Sequence, residues 1–381
     1  MWAESPFRYE EPLPPDELID REQELAVLLD RAAAGRNSRL TGPRRFGKTS
    51  LLRRLLRDAD REGVIPVYID LYGVLTIADV SARLELAYER QLDGPLRRWF
   101  TALRRSLRPV GRVSAGVASV ELSTVRPAVR ADDGARALLE RLATPARLHE
   151  KTGRVVLVVF DEFQALLGAG RQLDATFRSE IQHHGAGVSY VFAGSHPGMM
   201  RALFADRRRP FFDQAAAVQL PPLPDAALAE RIGSVFEAGE RECAAVLDLL
   251  LDVAAGHPQR AMQLASHLWA HTPRRTAADE ETWARALASV GAEVGNELHA
   301  RWEGLSTTQR RVLSAIALDE APLYSADTGV RHGTTKGSTA PALRPLADNG
   351  EIEPDAAATT GYRVVDPLLR LWVANGRSWP G

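Results

Sequence analysis

The stretch GPRRFGKTS, residues 42–50, decides how the rest of the sequence is interpreted. It fits the pattern G-x-x-x-x-G-K-[ST], and it lies between a short strand pattern, NSRLT, and a leucine-rich helix pattern. This strand–loop–helix context is the one that the pattern requires. Gly42 and Gly47 allow the loop to wrap a phosphate with its backbone N–H groups pointing inward, and the helix adds the positive end of its dipole. The stretch therefore predicts a phosphate-binding loop.

Lys48 is one of only three lysines in a chain that has 45 arginines. A phosphate already surrounded by backbone donors leaves room for a compact ammonium, whereas a guanidinium is a broad planar fork. We therefore expect Lys48 to act on the β and γ phosphates of a nucleotide and the Thr49 hydroxyl to bind Mg²⁺. The alternative, a chance glycine turn before a surface helix, is disfavoured by the flanking strand and helix. The other loop residues expected to contact the nucleotide are Gly42, Pro43, Arg44, Arg45, Phe46, Gly47 and Ser50.

The most hydrophobic run of the chain is VVLVVFDEFQ, residues 155–164. Its consecutive apolar residues predict a strand that is buried on both faces, as in a parallel sheet. A magnesium–nucleotide site needs a carboxylate at the end of a neighbouring strand, and Asp161 stands there. Glu162 follows, where a base can polarise a water against the γ phosphate. An acidic pair after an apolar run also ends many strands or caps helices, so its catalytic role depends on the loop at 42–50.

Ser195 ends another strand pattern, GVSYVFAGS, at residues 187–195. Its hydroxyl can contact the γ phosphate or the attacking water. It can equally cap a helix that starts at His196. The two roles are compatible, and the sequence does not choose between them.

Further strand patterns at residues 64–73 and 217–223 alternate with helical segments. This alternation predicts a layered α/β domain with right-handed crossovers. At about residues 93–130, an arginine-studded helix followed by alternating Val, Gly and Ser predicts an inserted hairpin. Helical patterns follow residue 224, and the end of the chain is predicted as helices, a short strand and a final amphipathic helix. We expect three domains, which span residues 1–223, 224–300 and 301–381.

The composition indicates a globular protein, with 45% apolar and 25% charged residues among 381. The formal net charge of -1 gives no general attraction to nucleic acids or membranes. The single cysteine, Cys243, excludes an internal disulfide and suits a reducing cytosol. No apolar run approaches the roughly 20 residues that a membrane span needs, and the start lacks a signal peptide's apolar segment. We therefore expect a soluble, cytoplasmic protein.

A family resemblance extends over nearly the whole chain and keeps the order of its motifs. The sequence resembles the archaeal-type ATPases, which belong to the AAA+ and STAND grouping of P-loop ATPases. The resemblance implies a P-loop nucleotide-binding domain, a helical lid, a C-terminal winged helix, and the hydrolysis of ATP with Mg²⁺. The stretches that carry it are IDREQEL (19–25), GPRRFGKTSLL (42–52), VVFDEFQ (158–164), YVFAGS (190–195), AAGHPQRAMQLASHLW (254–269) and YRVVDPLLRLWV (362–373).

The resemblance also implies roles for residues outside the phosphate loop. In the family pattern, IDREQEL helps to form the adenine pocket, which nominates Asp20 and Arg21. The GHP stretch lets the lid reach the base, which nominates His257 and Pro258, with Arg260 as a group that approaches the phosphates. From the residues alone, Gly256 and Pro258 indicate the end of one helix and the start of the next.

Two clusters invite a functional interpretation that the sequence leaves open. Arg207, Arg208 and Arg209 lie where related ring-forming ATPases place an arginine finger acting in trans, but a surface cluster is also expected in a chain so rich in arginine. His183 and His184 are not accompanied by carboxylates or cysteines in a metal-binding pattern. They are predicted to form a solvated helix end.

Three functions compete at this stage. The first is an ATPase that uses hydrolysis to change the angle between the sheet domain and the lid. The second is a slow, nucleotide-gated switch, and the third is an origin-recognition-like DNA-binding protein. From residue 301 onward there are nine basic and nine acidic residues, which is no electrostatic footprint for DNA.

A protein partner is therefore favoured over nucleic acid, and oligomer formation is left open. The partner is expected to bind the winged helix or the insertion, where the six arginines between residues 97 and 112 have no acid among them.

Overall fold

The computed structural model describes residues 5–107, 131–170 and 172–379. Within these ranges, a five-stranded sheet of order β2-β3-β4-β1-β5 forms the first half of the chain. Every neighbouring pair of its strands is parallel, which confirms the predicted α/β fold. The strands are β1 (Ser38–Thr41), β2 (Ile65–Asp70), β3 (Val156–Asp161), β4 (Val188–Gly194) and β5 (Ala216–Gln219).

Helices cover the sheet and connect its strands. They are α1 (Glu22–Ala33), α2 (Lys48–Arg61), α3 (Ile77–Gln91), α4 (Gly94–Leu107), α5 (Ala131–Leu142), α6 (Thr144–Thr152), α7 (Leu166–Ala169), α8 (Leu173–Ile181) and α9 (Pro197–Phe204). The arginine-studded helix predicted at the start of the insertion is α4. The predicted hairpin falls on residues 108–130, which lie outside the described residues.

The two faces of the sheet carry separate cores. Alternate residues of a strand point to opposite faces, so β3 sends Val158 and Phe160 into a core rich in aromatic side chains and Leu157 and Val159 into an aliphatic one. Helices α1 and α2 supply the aliphatic core with leucines such as Leu51. Burial of both faces accounts for the unbroken hydrophobic run that the sequence shows at β3.

The second half of the chain is mostly helical. It contains α10 (Asp225–Ala238), α11 (Ala244–Ala254), α12 (Pro258–His271), α13 (Glu280–Glu303), α14 (Thr307–Leu318), α15 (Ala326–His332), α16 (Lys336–Asp348), the antiparallel strands β6 (Ile352–Pro354) and β7 (Tyr362–Val364), and α17 (Pro367–Ala374). One continuous hydrophobic core runs through these helices. The boundary predicted between residues 300 and 301 falls inside α13, which continues to Glu303.

The N-terminal segment, residues 5–18, bridges the two halves. Phe7 packs against Phe236 of α10 and Trp269 of α12, with ring centroids 5.7 and 6.0 Å away. Further along, the backbone N–H of Leu13 donates a hydrogen bond to Ser50 Oγ of α2 at 2.9 Å. We call residues 5–18 the strap, because they tie the helical half to the first helix after the phosphate-binding loop.

None of the helices in the described ranges combines the length and the apolar character that a membrane crossing needs.

Candidate nucleotide-binding site

The loop at residues 42–47 joins the end of β1 to the start of α2. Gly47 caps α2 with φ 85°, a conformation that only glycine adopts readily. Lys48 is the first residue of the helix, and its Nζ donates to the carbonyl oxygens of Gly42 at 2.8 Å and Pro43 at 2.6 Å. Burial lowers the pKa of Lys48 to about 8, against the opposing effect of the Glu162 and Asp161 charges. The loop thus holds a buried cation at its centre.

Asp161 ends β3 directly beside the start of α2. Its Oδ2 accepts hydrogen bonds from Thr49 Oγ1 at 3.2 Å and from the Tyr68 hydroxyl at 2.8 Å. Burial raises the pKa of Asp161, whereas the Tyr68 and Thr49 donors act in the opposite direction. The structure therefore brings Thr49 and Asp161 together as the sequence predicted.

Tyr68 is a site residue that the sequence did not reveal. It lies in β2, and the parallel register with β3 places it beside Val159, two residues before Asp161. Burial, followed by the charge of Asp161, raises the pKa of Tyr68, so its phenol is a neutral donor. No sequence motif marks it, because the contact depends on the pairing of two strands that are some 90 residues apart.

Glu162 follows Asp161 in the left-handed region, with φ 52°. Its Oε2 accepts a hydrogen bond from Ser195 Oγ at 2.8 Å and another from Gln164 Nε2. Ser195 comes directly after β4, the strand that neighbours both β1 and β3. Glu162, Gln164 and Ser195 therefore meet at the carboxyl ends of these strands. The carboxyl ends of parallel strands are where such sites form in open α/β sheets.

The helix that follows Ser195 is capped by a different residue than proposed. His196 is the N-cap of α9, and its side chain accepts a hydrogen bond from the Met199 backbone N–H. The suggestion that Ser195 caps this helix is therefore wrong. Its hydroxyl donates to Glu162 instead, and the catalytic role of Ser195 stays a prediction.

A cavity of about 370 Å³ opens above the loop. This volume is within the range of small-molecule sites. The cavity is lined by residues 44–50, by residues of the strap, and by Pro258 and Met262 of α12. Arg21 also lines the cavity, although its guanidinium is engaged by the Pro221 carbonyl at 2.7 Å and by Glu24. The strap and Met262 were not among the predicted binding residues.

Two residues nominated for the adenine pocket do not line this cavity. Asp20 is exposed, and its neighbours Leu18 and Ile19 line the cavity in its place. His257 is buried behind the loop, where its ring contacts Phe46 edge-on at 4.8 Å and its Nδ1 caps α12. Burial lowers the pKa of His257 to about 3, so the ring is neutral. His257 supports the loop from behind.

Gly42, Pro43 and Asp161 also lie outside the cavity lining, and they act through contacts with Lys48 and Thr49.

Arg260 points away from the phosphate-binding loop. Its guanidinium binds Asp366 in a bidentate pair, with Nε 3.1 Å from Oδ1 and Nη2 2.7 Å from Oδ2. The implied approach of Arg260 to the phosphates is therefore wrong for this structure. The guanidinium is held instead by the buried carboxylate of Asp366, which is the N-cap of α17.

The three arginines of the predicted finger cluster have different surroundings. Arg208 binds Asp206, and Arg209 lies 3.1 Å from Asp174, so neither guanidinium is free in this chain. Arg207 is exposed, and its role as a finger acting in trans stays a prediction.

The two histidines differ from each other. His183 is exposed, as expected of a solvated helix end, but His184 is buried and its Nδ1 lies 2.6 Å from the Tyr190 hydroxyl. The prediction for His184 was wrong, because the end of α8 packs onto β4. Among the described residues, no three His, Cys, Asp or Glu side chains cluster as a metal site.

The strand order, the loop and the strand-end carboxylates define a P-loop protein of the AAA+ class. Residues 17–191 match the family model described as an AAA ATPase domain. This part of the chain is therefore similar to AAA ATPase domains.

Solved structures with the same fold cover almost the entire chain. The Walker-type ATPase of Pyrococcus abyssi is 18% identical and has a TM-score of 0.67, over 96% of this chain and 99% of that one. The ORC2 protein of Aeropyrum pernix, in its ADPNP–ADP complexes, is 16% identical with a TM-score of 0.57, over 98% of both chains. No curated protein sequence matches significantly. The chain therefore has the fold of these archaeal P-loop ATPases.

Proposed function

We propose that this chain binds Mg²⁺-ATP at the loop of residues 42–50 and hydrolyses it. The observation that carries the proposal is the constellation of Lys48, Thr49, Asp161, Glu162 and Ser195 at one edge of the sheet. The ORC2 relative was solved with ADPNP and ADP, which supports an adenine nucleotide as the ligand.

The donor set fits Mg²⁺. Thr49 Oγ1 and Asp161 Oδ2 are hard oxygen ligands that lie 3.2 Å apart. Mg²⁺ commonly takes one or two protein ligands and completes its shell with phosphate oxygens and water. When bound, the ion would supply positive charge to the phosphates.

The residues of the chain have distinct tasks in the proposed reaction. Lys48 exchanges the Gly42 and Pro43 carbonyls for phosphate oxygens and neutralises charge that develops in the transition state. Glu162 orients a water in line with the γ phosphate and accepts its proton. Ser195 holds Glu162 Oε2 and thereby aims the carboxylate. Tyr68 holds Asp161 in the same way.

Binding is tested with the substitution Lys48→Ala. Ligand that binds only the folded state stabilises it by about 2.7 kcal/mol at a concentration 100 times its Kd. We expect Mg²⁺-ATP to raise the melting temperature of the wild type and of the control Lys336→Ala, which removes an exposed lysine elsewhere. The rise should vanish in Lys48→Ala. An equal rise in that variant would disprove the assignment.

Hydrolysis is tested with Glu162→Gln. The amide fills the same space but cannot accept a proton, so we expect the melting-temperature shift to remain while turnover falls about 100-fold or more. Phosphate release by wild type and variant is the measurement. Equal rates would make Glu162 structural.

A slow nucleotide-gated switch is the second candidate. It is favoured by the two hydrogen bonds that Glu162 Oε2 accepts from Ser195 and Gln164, because both donors hold the oxygen that would otherwise be open to accept a proton. On this proposal, turnover stays low until a partner repositions Glu162. Measuring turnover with and without candidate partners separates the two functions.

In the proposed domain arrangement, one group of helices covers the nucleotide and the C-terminal group binds a partner protein. Helices α10–α13 would act as a lid over the nucleotide, and α14–α16 with the β6–β7 hairpin would act as a winged helix that docks a protein. The order of three helices and an antiparallel hairpin supports this assignment.

A further inference from the structure

The sheet face over β1 and β5 carries side chains that α9 covers only in part, with the Arg39 guanidinium 5.9 Å from the centre of the Phe204 ring. Arg39 pairs with Ala217 and Thr41 with Gln219 in the parallel register, so these four side chains share one face. Ala217 and Gln219 are exposed, whereas Leu40 and Val218 turn to the opposite face and pack with α1. A strip of mostly polar residues therefore stays open at the edge of the sheet.

The C-terminal helices form the opposite wall and leave a groove between the two. It has a volume of about 820 Å³ and is distinct from the nucleotide cavity. Leu343 and Ala347 of α16, Ile352 of β6 and Tyr362 of β7 make the far wall largely apolar. We call this space the edge groove. The sheet wall thus offers charge and hydrogen bonds, and the far wall offers apolar contact together with the charge of Arg344 on α16.

The charges that line the edge groove do not balance. Arg201 and Arg344 share one carboxylate, Asp348, at 2.7 and 3.6 Å. Arg39 has no carboxylate partner among the described residues, and its Nε is inaccessible to solvent without a hydrogen-bond partner. The acid on the far wall, Glu353, is already bound by Arg363. The groove therefore presents uncompensated positive charge beside an apolar wall.

We propose that the edge groove binds a short acidic peptide segment of a partner protein. Its carboxylates pair with Arg39 and Arg344, and its apolar side chains contact Leu343, Ile352 and Tyr362. Charge-assisted pairs to arginine are strong and directional, which makes these two residues the specificity determinants. A nucleic-acid backbone offers phosphates to the arginines but nothing to the apolar wall.

The groove also reaches the reverse side of the phosphate-binding loop, at Gly42 and Pro43. These are the residues whose carbonyls hold Lys48. A peptide bound here lies behind the loop and can change its geometry. This link between partner and nucleotide rests on the proposed function, whereas the binding of the peptide does not.

The test is a selection of phage-displayed random 12-residue peptides on the full-length protein without nucleotide, so that it is independent of ATP chemistry. Enriched peptides are then labelled and titrated by fluorescence anisotropy. We expect them to combine Asp or Glu with apolar residues. Arg39→Glu and Arg344→Glu should each weaken binding at least about tenfold, because like charges repel across the contact. Arg370→Glu, which reverses an exposed arginine outside the groove, should leave binding unchanged.

A steric variant provides a second test in case the charge-reversal variants fold poorly. Ala217→Trp fills the groove from an exposed position without a change of charge, and it should also abolish binding. Each variant's melting temperature is compared with that of the wild type. The proposal is overturned if no peptide is enriched, if enriched peptides lack acidic residues, or if they bind Ala217→Trp as tightly as wild type. Displacement of the peptide by random-sequence duplex DNA at equal affinity would also overturn it in favour of a nucleic acid.

Discussion

At the scale of single residues, the pKa of Lys48 gives the site a measurable pH dependence. Burial lowers this pKa to about 8 in the nucleotide-free protein, and phosphate oxygens would raise it in the complex. Above pH 8, binding must therefore take up a proton, and the affinity for ATP should fall about tenfold per pH unit. Titrations at pH 7, 8 and 9 measure this slope.

The matched variant for this titration is Lys48→Arg. A guanidinium stays charged throughout the range, so its affinity, although weaker, should not change with pH. A similar slope in both proteins would assign the pH dependence to another group.

Tyr68 gives a second residue-scale prediction, which concerns the metal. Tyr68→Phe removes the donor to Asp161 Oδ2 but keeps the ring. Loss of such a partner typically weakens metal binding 10- to 100-fold. The quantity to measure is the Mg²⁺ concentration at which the ATP-dependent rise in melting temperature reaches half of its maximum. We expect this concentration to increase about tenfold in the variant.

The control for Tyr68→Phe is Tyr88→Phe, which removes a buried hydroxyl that donates to the Arg141 carbonyl. It should lower the melting temperature without a change in the Mg²⁺ requirement. If both variants need the same Mg²⁺ concentration as wild type, Tyr68 does not position Asp161.

The site residues that the sequence predicted lie in local motifs, whereas those that it missed reach the site through strand pairing or side-chain direction. Gly42 to Ser50 form a contiguous motif whose geometry is local, and the strand-end position of Asp161 follows from the hydrophobic run before it. Tyr68 and Gln164 reach the site through strand register and a local turn, which no spacing rule encodes. Asp20 and His257 were assigned by resemblance, and their positions depend on side-chain directions that a motif does not specify.

At the scale of elements, a buried ionic network joins α12, α13 and α17. Asp366 caps α17 and accepts hydrogen bonds from Arg260 of α12 and, at 2.6 Å, from Arg301 of α13. Burial acts to raise the pKa of Asp366, but the two guanidinium groups hold it well below its usual range. Arg301 continues the network to Glu351 at 2.7 Å.

Breaking this network should cost far more than breaking a surface pair. Asp366→Asn leaves two arginines with one neutral acceptor, and we expect a loss of about 3–5 kcal/mol in the free energy of unfolding. Denaturant titration followed by tryptophan fluorescence measures it, because Trp302 and Trp372 lie close to the network. Asp348→Asn, which affects the surface pair with Arg201, should cost no more than about 1 kcal/mol. Equal losses would contradict the assignment of the network.

The elements themselves were largely predictable because their patterns are strong. All five strands of the sheet lie within or beside the predicted stretches, and the end of α11 and start of α12 agree with the Gly256 and Pro258 signals. The predicted boundary between residues 300 and 301 lies within α13, which runs for 24 residues, and the three-domain division stays a prediction.

At the scale of the whole molecule, the C-terminal helices pack against the domain that holds the parallel sheet. Asp348, at the end of α16, is bound by Arg201 of α9 at 2.7 Å. A Cβ added at Gly198 of α9 would come within 2.6 Å of the Asp348 Cβ, so the two helices are in close contact. The end of α16 is therefore covered in this arrangement.

The full-length protein should accordingly bind duplex DNA weakly. Sequence-independent affinity comes from phosphate contacts, and the last 81 residues offer as many acids as bases. We expect no submicromolar binding to random-sequence duplex even at about 50 mM salt, where such contacts are strong. Tight binding that weakens steeply with added salt would instead support an origin-recognition-like function.

The strap sets a limit on the reach of the helical half. Phe7 is anchored between α10 and α12, and Leu13 is anchored on α2, with six peptide units between them. A fully stretched chain of that length spans about 20 Å. As long as both anchors hold, the strap acts as a tether: α10 and α12 can swing away from the phosphate-binding loop only until it is taut. Wider opening would require either the hydrogen bond of Leu13 to Ser50 or the ring contacts of Phe7 to break.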